Sequence, residues 1–235
     1  MGAIYRREMG SFFTSGLGYV FLTVFYAFSG YFFYTEVIES GISDTSPMFA
    51  SMFIMFIFLI PVLTMRLLSE EKKNRTDQGL LTAPVSLWEI VLGKFFAAFT
   101  LFVIAECIVF VYALILRYLG SVVWPSLIGN FTAMLFLGAA FIAIGIFVSS
   151  LTENQMAAAV VSFVVMLVLY FFDETLLIRV SNDTLRDILT ALSFRTRYFE
   201  FTKGVFSMSS IIFFLSTAFL FNFFTVRVLE KRRWS

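Results

Sequence analysis

The chain has 235 residues, of which 60% are hydrophobic and only 14% charged, with 33 phenylalanines and a mean hydropathy of +0.90. Soluble domains carry about a quarter charged residues, so this composition calls for lipid as solvent. A net charge of +1 argues against nucleic acid as a partner, the lack of histidine removes the commonest general base and metal ligand, and the single cysteine, Cys107, excludes a disulfide framework.

The first element in chain order is amphipathic. Tyr5, Met9, Phe12 and Phe13 recur at helical spacing opposite Arg6, Arg7 and Glu8, which predicts a short helix lying in the inner membrane interface. The plainer alternative is the inner end of a longer first span. No signal peptide is expected, because the first apolar run follows charges and is long enough to cross. Spanning helices need about 20 apolar residues. Six candidates follow, at about 17–34, 48–65, 95–116, 126–148, 156–172 and 208–226. Gly30, Pro61, Gly138 and Gly145 fall inside them, which membrane helices tolerate. Ala139 and Ala143, four apart, offer a surface for close helix approach, although alanine abundance alone accounts for the pair.

Lysines and arginines set the orientation. With the N-terminus inside, inner segments carry Arg6, Arg7, Arg66, Lys72, Lys73, Arg75, Lys94, Arg227, Lys231, Arg232 and Arg233. Outer segments carry Arg117, Arg179, Arg186, Arg195, Arg197 and Lys203. Six crossings then place both termini in the cytoplasm of a multi-pass membrane protein.

The most informative stretch runs from Glu70 to Lys94, between the inner ends of spans two and three. A polar run gives way to an apolar island, Leu80 and Leu81, bounded by Thr76 and Pro84. Thr76 is placed to cap a helix of one or two turns that Pro84 terminates. Ser86 and Glu89 form a capping box, with Val85 and Ile90 at staple positions, so the third span starts near Leu87 with Trp88 at headgroup level. A short helix hung there passes a push from a soluble partner to both flanking spans; an ordinary capped loop is the alternative.

Glu106 lies near the middle of span three, where a carboxylate is expensive. It either lines a substrate path or accepts a proton, or it is a neutral acid hydrogen-bonded between packed helices. Glu153, Asn154 and Gln155 read as the inner turn between spans four and five. The outer segment 173–207 is long, with helical character over 184–192 and an amphipathic stretch from Tyr198 to Phe201. The chain lacks a Gly-x-x-x-x-Gly-Lys-Ser/Thr phosphate loop, and Gly93-Lys94 is followed by Phe95 at the head of a span. Any ATP hydrolysis therefore belongs to another chain.

The stretch Glu70, Glu71, Lys72, then Leu80, Leu81, Thr82, Pro84, Val85, Ser86, then Glu89, Ile90, Val91, Leu92, Gly93, Lys94 and Phe95, resembles the signature of ABC-2 type transporter permeases. The closest group is the small gliding-motility (GldF-like) permeases, and the end of the chain, Gly204-Val205, Thr225-Val226-Arg227 and Glu230 to Trp234, is similar to it as well. Arg75 stands where that group often has glycine, and Gln78-Gly79 replaces an acidic-plus-aliphatic pair. The resemblance implies one all-α transmembrane domain over residues 1–235, with an N-terminal interfacial helix, six spans, a coupling helix within about 70–86, and short outer helices before span six that dip into the membrane. It implies an exporter subunit of the bacterial cytoplasmic membrane. ATP and Mg would sit on a separate ABC ATPase, and a second copy or a homologous permease would complete the pathway, with an accessory envelope protein as a further candidate partner. The ATPase-coupling residues it marks are Glu70, Glu71, Thr76, Asp77, Leu80, Leu81, Thr82 and Pro84, with Glu106 assigned to the pathway. Two other readings stand beside it: a membrane scaffold for an envelope or gliding assembly with an ATPase in a regulatory role, and an intramembrane enzyme built on Glu106.

Overall fold

The computed structural model describes residues 1–76, 79, 85–120, 122–176, 190, 192–202 and 207–233, the side chains of 172–176 and 202 excepted. All of its regular structure is helical among the described residues. Helix α1 (Gly2–Thr14) precedes α2 (Leu17–Phe33), whose C-terminal end widens into a π turn at Tyr34–Ile38. Next come α3 (Ser46–Thr64), the short α4 (Ser69–Lys73), α5 (Leu87–Glu106), α6 (Ile108–Leu119), α7 (Trp124–Leu151), α8 (Gln155–Leu176), α9 (Phe194–Thr202) and α10 (Met208–Arg233).

Among the described residues five helical stretches are long and apolar enough to cross a membrane: Leu17–Ile38, Ser46–Lys73, Leu87–Leu119, Trp124–Leu151 and Met208–Arg233. The expected crossing at 156–172 falls on α8, whose apolar stretch Gln155–Phe171 is shorter. The expected third span begins where its caps predict. Ser86 Oγ accepts from the Glu89 amide and Glu89 Oε2 accepts from the Ser86 amide, each at 3.2 Å, so α5 starts at Leu87. It does not run unbroken to 116, because the backbone turns at Cys107 and α6 continues as a separate helix.

Helix α7 is the centre of the bundle. It packs against α10, α3, α8, α9 and α5, and most of its length from Leu137 to Ser150 is buried. Side-chain-free positions bring its neighbours close. A Cβ on Gly138 would lie 2.3 Å from the Phe102 ring, and one on Gly145 would lie 2.1 Å from Thr64 Oγ1. The tightest approach in this span therefore falls on the two glycines that flank Ala139 and Ala143, while those alanines are themselves buried. Elsewhere the core is a mesh of phenylalanines. Phe25 stacks on Phe56 at 5.8 Å, Phe56 meets Phe102 edge-on at 5.0 Å, and Phe53 contacts Tyr170 and Tyr198 at 5.1 and 5.0 Å. The faces turned away from the core expose Phe28, Tyr31, Phe58, Val160, Val168 and Phe219 among others, as a lipid-solvated bundle requires.

Helix α1 is distinct from α2. The chain reverses at Gly16, whose φ of 77° is left-handed and suits glycine. A short helix separate from the first span is thus present, but its faces differ from the expected ones. Ile4, Glu8 and Phe12 are buried, and Tyr5, Met9 and Phe13 are only partly so. Glu8, expected on the polar face, points inward because a buried cation awaits it there.

At the far end of the bundle, Asp44 Oδ1 accepts from Ser126 Oγ at 2.6 Å and from the Ser46 amide at 3.1 Å. Asn130 Nδ2 donates to Ser46 Oγ at 3.2 Å. Helix α9 covers this end, burying Tyr198 and Phe201 against α7. A short helix before the last span is thus present at Phe194–Thr202, whereas the helical character expected over 184–192 lies mostly outside the described residues.

Candidate coupling site

Lys94 opens the site. It lies two turns into α5 with no solvent exposure, and a buried ammonium survives only when its donors are met by carboxylates or carbonyls. All three of its contacts have the right character. Nζ lies 3.0 Å from Glu8 Oε1, 2.9 Å from Glu71 Oε1 and 2.7 Å from the Leu67 carbonyl oxygen. Arg7 Nη2 donates to Glu8 Oε1 at 2.8 Å and also to Glu71 Oε1, which closes the cluster from the solvent side. Two cations and two anions from α1, α4 and α5 therefore share one spot. Burial pushes the Glu8 carboxyl up, but the Lys94 charge and the hydrogen bonds from Arg7 and Lys94 outweigh it and hold the group below the usual glutamate range.

Helix α4 is the element most in need of these contacts, being only five residues long. It is anchored on two sides. Towards α7, Ser149 Oγ accepts from the Leu68 and Ser69 amides at 3.2 and 3.1 Å and donates to the Met65 carbonyl at 2.9 Å. Lys72 reaches Glu153 in the turn before α8 at 3.2 Å, and Asn154 Oδ1 caps α8 by accepting from the Met156 amide at 3.0 Å. Towards α1 and α5 the tie is Glu71. Arg66 and Glu70 pair along the helix at 2.8 Å. A cleft of ≈ 310 Å³ opens beside the cluster, between Arg7, Ser11, Glu70, Glu71, Asn74 and Thr76.

The chain leaves α4 through a sharp turn. Arg75 has φ 56°, a left-handed conformation in a residue with a Cβ. The Thr76 amide and Oγ1 both donate back to the Glu71 carbonyl, at 3.0 and 3.3 Å, so Thr76 closes α4. Of the sequence-predicted coupling residues, Glu70, Glu71 and Thr76 are thus brought together here. Asp77, Leu80, Leu81, Thr82 and Pro84 lie outside the described residues, and the expected coupling helix with them.

Glu106 lies apart from this site. It is fully buried at the joint between α5 and α6, and among the described residues neither carboxyl oxygen has a hydrogen-bond partner. The hydrogen bond of the neutral-acid alternative is not made among the described residues. Sequence reasoning missed Glu8 and Lys94. The signal was available only in part: Lys94 closes the Gly93-Lys94 pair at a helix head, but nothing in the sequence pairs it with a residue so far back in the chain.

The family model for ABC-2 family transporter proteins matches residues 3–227. The chain belongs to the ABC-2 family of transporter proteins. No individually curated protein matches it. The match spans nearly the whole helical bundle, including almost all of α1 and the segment that carries α4, so the site lies within the family domain and not in an appendage.

Proposed function

We propose that this ABC-2 protein is the membrane permease subunit of an ATP-driven exporter of the bacterial cytoplasmic membrane, with GldF-like permeases as its nearest group. It crosses the bilayer six times, α8 supplying the crossing between α7 and α9, and both termini face the cytoplasm. A separate ABC ATPase binds ATP and Mg and docks on α4 and the segment that follows it, through Glu70, Glu71, Thr76, Asp77, Leu80, Leu81, Thr82 and Pro84. A second copy, or a homologous permease, completes the pathway.

The observation that carries this reading is the attachment of α4. A five-residue helix with no core of its own is tied by charge to α1 and α5 and by Ser149 and Glu153 to α7 and the head of α8. A push on the segment beyond it reaches four elements at once. The absence of a Gly-x-x-x-x-Gly-Lys-Ser/Thr loop from the sequence supports placing hydrolysis on the partner. The deciding measurement is ATP hydrolysis by the purified chain, alone and with the ATPase that copurifies with it. Activity is expected only in the complex, and hydrolysis by the chain alone would overturn the assignment.

A further inference from the structure

We propose that Lys94 is a positioning residue for energy coupling: with Glu71 it holds α4 to α1 and the head of α5, so that these three elements move as one body. The proposal rests on the permease reading for the source of the push, but its geometry stands by itself.

Helices α1 and α5 do not need Lys94 to stay together. Ile4 packs so closely on Gly93 that a Cβ there would lie 2.9 Å from Ile4 Cγ2, and Tyr5 OH donates to Thr100 Oγ1 at 3.2 Å. Helix α4 has no such packing on them; its backbone neighbours are α7 and α8. Among the described residues its polar link to α1 and α5 is one carboxylate, Glu71, shared by Lys94 and Arg7, and the Leu67 carbonyl on Lys94 just before the helix begins. Arg7 is half exposed, with 51% of its side chain open, so water screens its share, whereas 1% of the Lys94 side chain is accessible. The buried ammonium is therefore the stronger half of the tie.

Stability alone does not call for such a cluster. Buried ion pairs are often replaced by apolar side chains without loss, because desolvation offsets the attraction. What an ion pair provides and an apolar patch does not is a fixed register: Glu71 has one place to sit. That is the property required of a joint through which a short helix transmits displacement to a longer one.

The test uses the full chain in phospholipid nanodiscs with Cys107→Ser as background and spin labels on Arg6→Cys in α1 and Lys73→Cys in α4. Distances are read by double electron–electron resonance. The parent is expected to give a single narrow separation. Both Lys94→Met and Glu71→Gln are expected to lose it, while a second pair, Arg6→Cys with Phe96→Cys in α5, stays narrow in Glu71→Gln. If Lys94→Met does not fold, Glu71→Gln carries the comparison. A narrow Arg6–Lys73 separation that survives Glu71→Gln would overturn the proposal. With the copurifying ATPase and ATP plus vanadate, the parent separation is expected to stay unchanged and that of Glu71→Gln to shift. A nucleotide-dependent shift in the parent would also overturn it. Should no ATPase bind while the nucleotide-free pattern holds, the permease reading fails and the positioning of α4 by Lys94 stands.

Discussion

At the scale of single residues, two positions carry physical tension that the fold resolves differently. Arg75 keeps a left-handed backbone that a Cβ disfavours. Because glycine adopts this conformation without strain, Arg75→Gly is expected to stabilise the chain by about 0.5 kcal/mol, the relief of strain being partly offset by a freer unfolded chain. A rise in thermal unfolding temperature in detergent would register it, and a fall would contradict the strain. Glu8 is the opposite case, a carboxyl held below its ordinary pKa by Lys94 and Arg7 despite burial. The folded chain then binds fewer protons here than the unfolded chain. The stabilisation is fully present above the ordinary glutamate value of 4.5 and is lost as pH falls through the lower folded value. Thermal scans between neutral pH and pH 3 should show this acid-side loss in the parent and a flatter profile in Glu8→Gln.

At the scale of elements, the bundle depends on where side chains are missing. Gly138 admits the Phe102 ring and Gly145 admits Thr64, so α5 and α3 sit closer to α7 than any residue with a Cβ allows. Gly138→Ala is expected to cost about 1–3 kcal/mol, because the ring is buried and has nowhere to withdraw. The measurement is the unfolding midpoint in mixed micelles, with Gly10→Ala on α1, where a Cβ meets open space, as the neutral comparison. Helix α5 shows how far local signals reach. Its capping box fixes its first residue from sequence, yet its end at Glu106 and the break at Cys107 carry no proline or glycine to announce them.

For the whole molecule, polar contacts gather at two opposite ends. One holds Arg7, Glu71, Lys94, Lys72 and Glu153, together with Arg232 donating to the Ser150 carbonyl; the other holds Asp44, Ser126 and Asn130. The proposed topology puts the first end, with its excess of Lys and Arg, in the cytoplasm. With Cys107→Ser as background, a membrane-impermeant maleimide should therefore label Lys73→Cys only in inside-out vesicles and Tyr118→Cys, whose parent side chain is 92% exposed, only in right-side-out ones. The reverse pattern would invert the topology and remove α4 from the reach of an ATPase.

The sequence by itself determined the solvent, the helical class, the start of α5 and the family, because each rests on local composition, caps or a contiguous motif. It also singled out the stretch around Glu70 and Glu71. Only the tertiary structure decided that Glu8 turns inward, that Lys94 is buried, and that Glu71 joins them. These residues lie in separate helices, and neither their periodicity nor their neighbours record which charge meets which. A lone lysine at a helix head looks solvated until α1 folds across it, and the direction of Glu8 follows from that crossing and from nothing nearer in the chain.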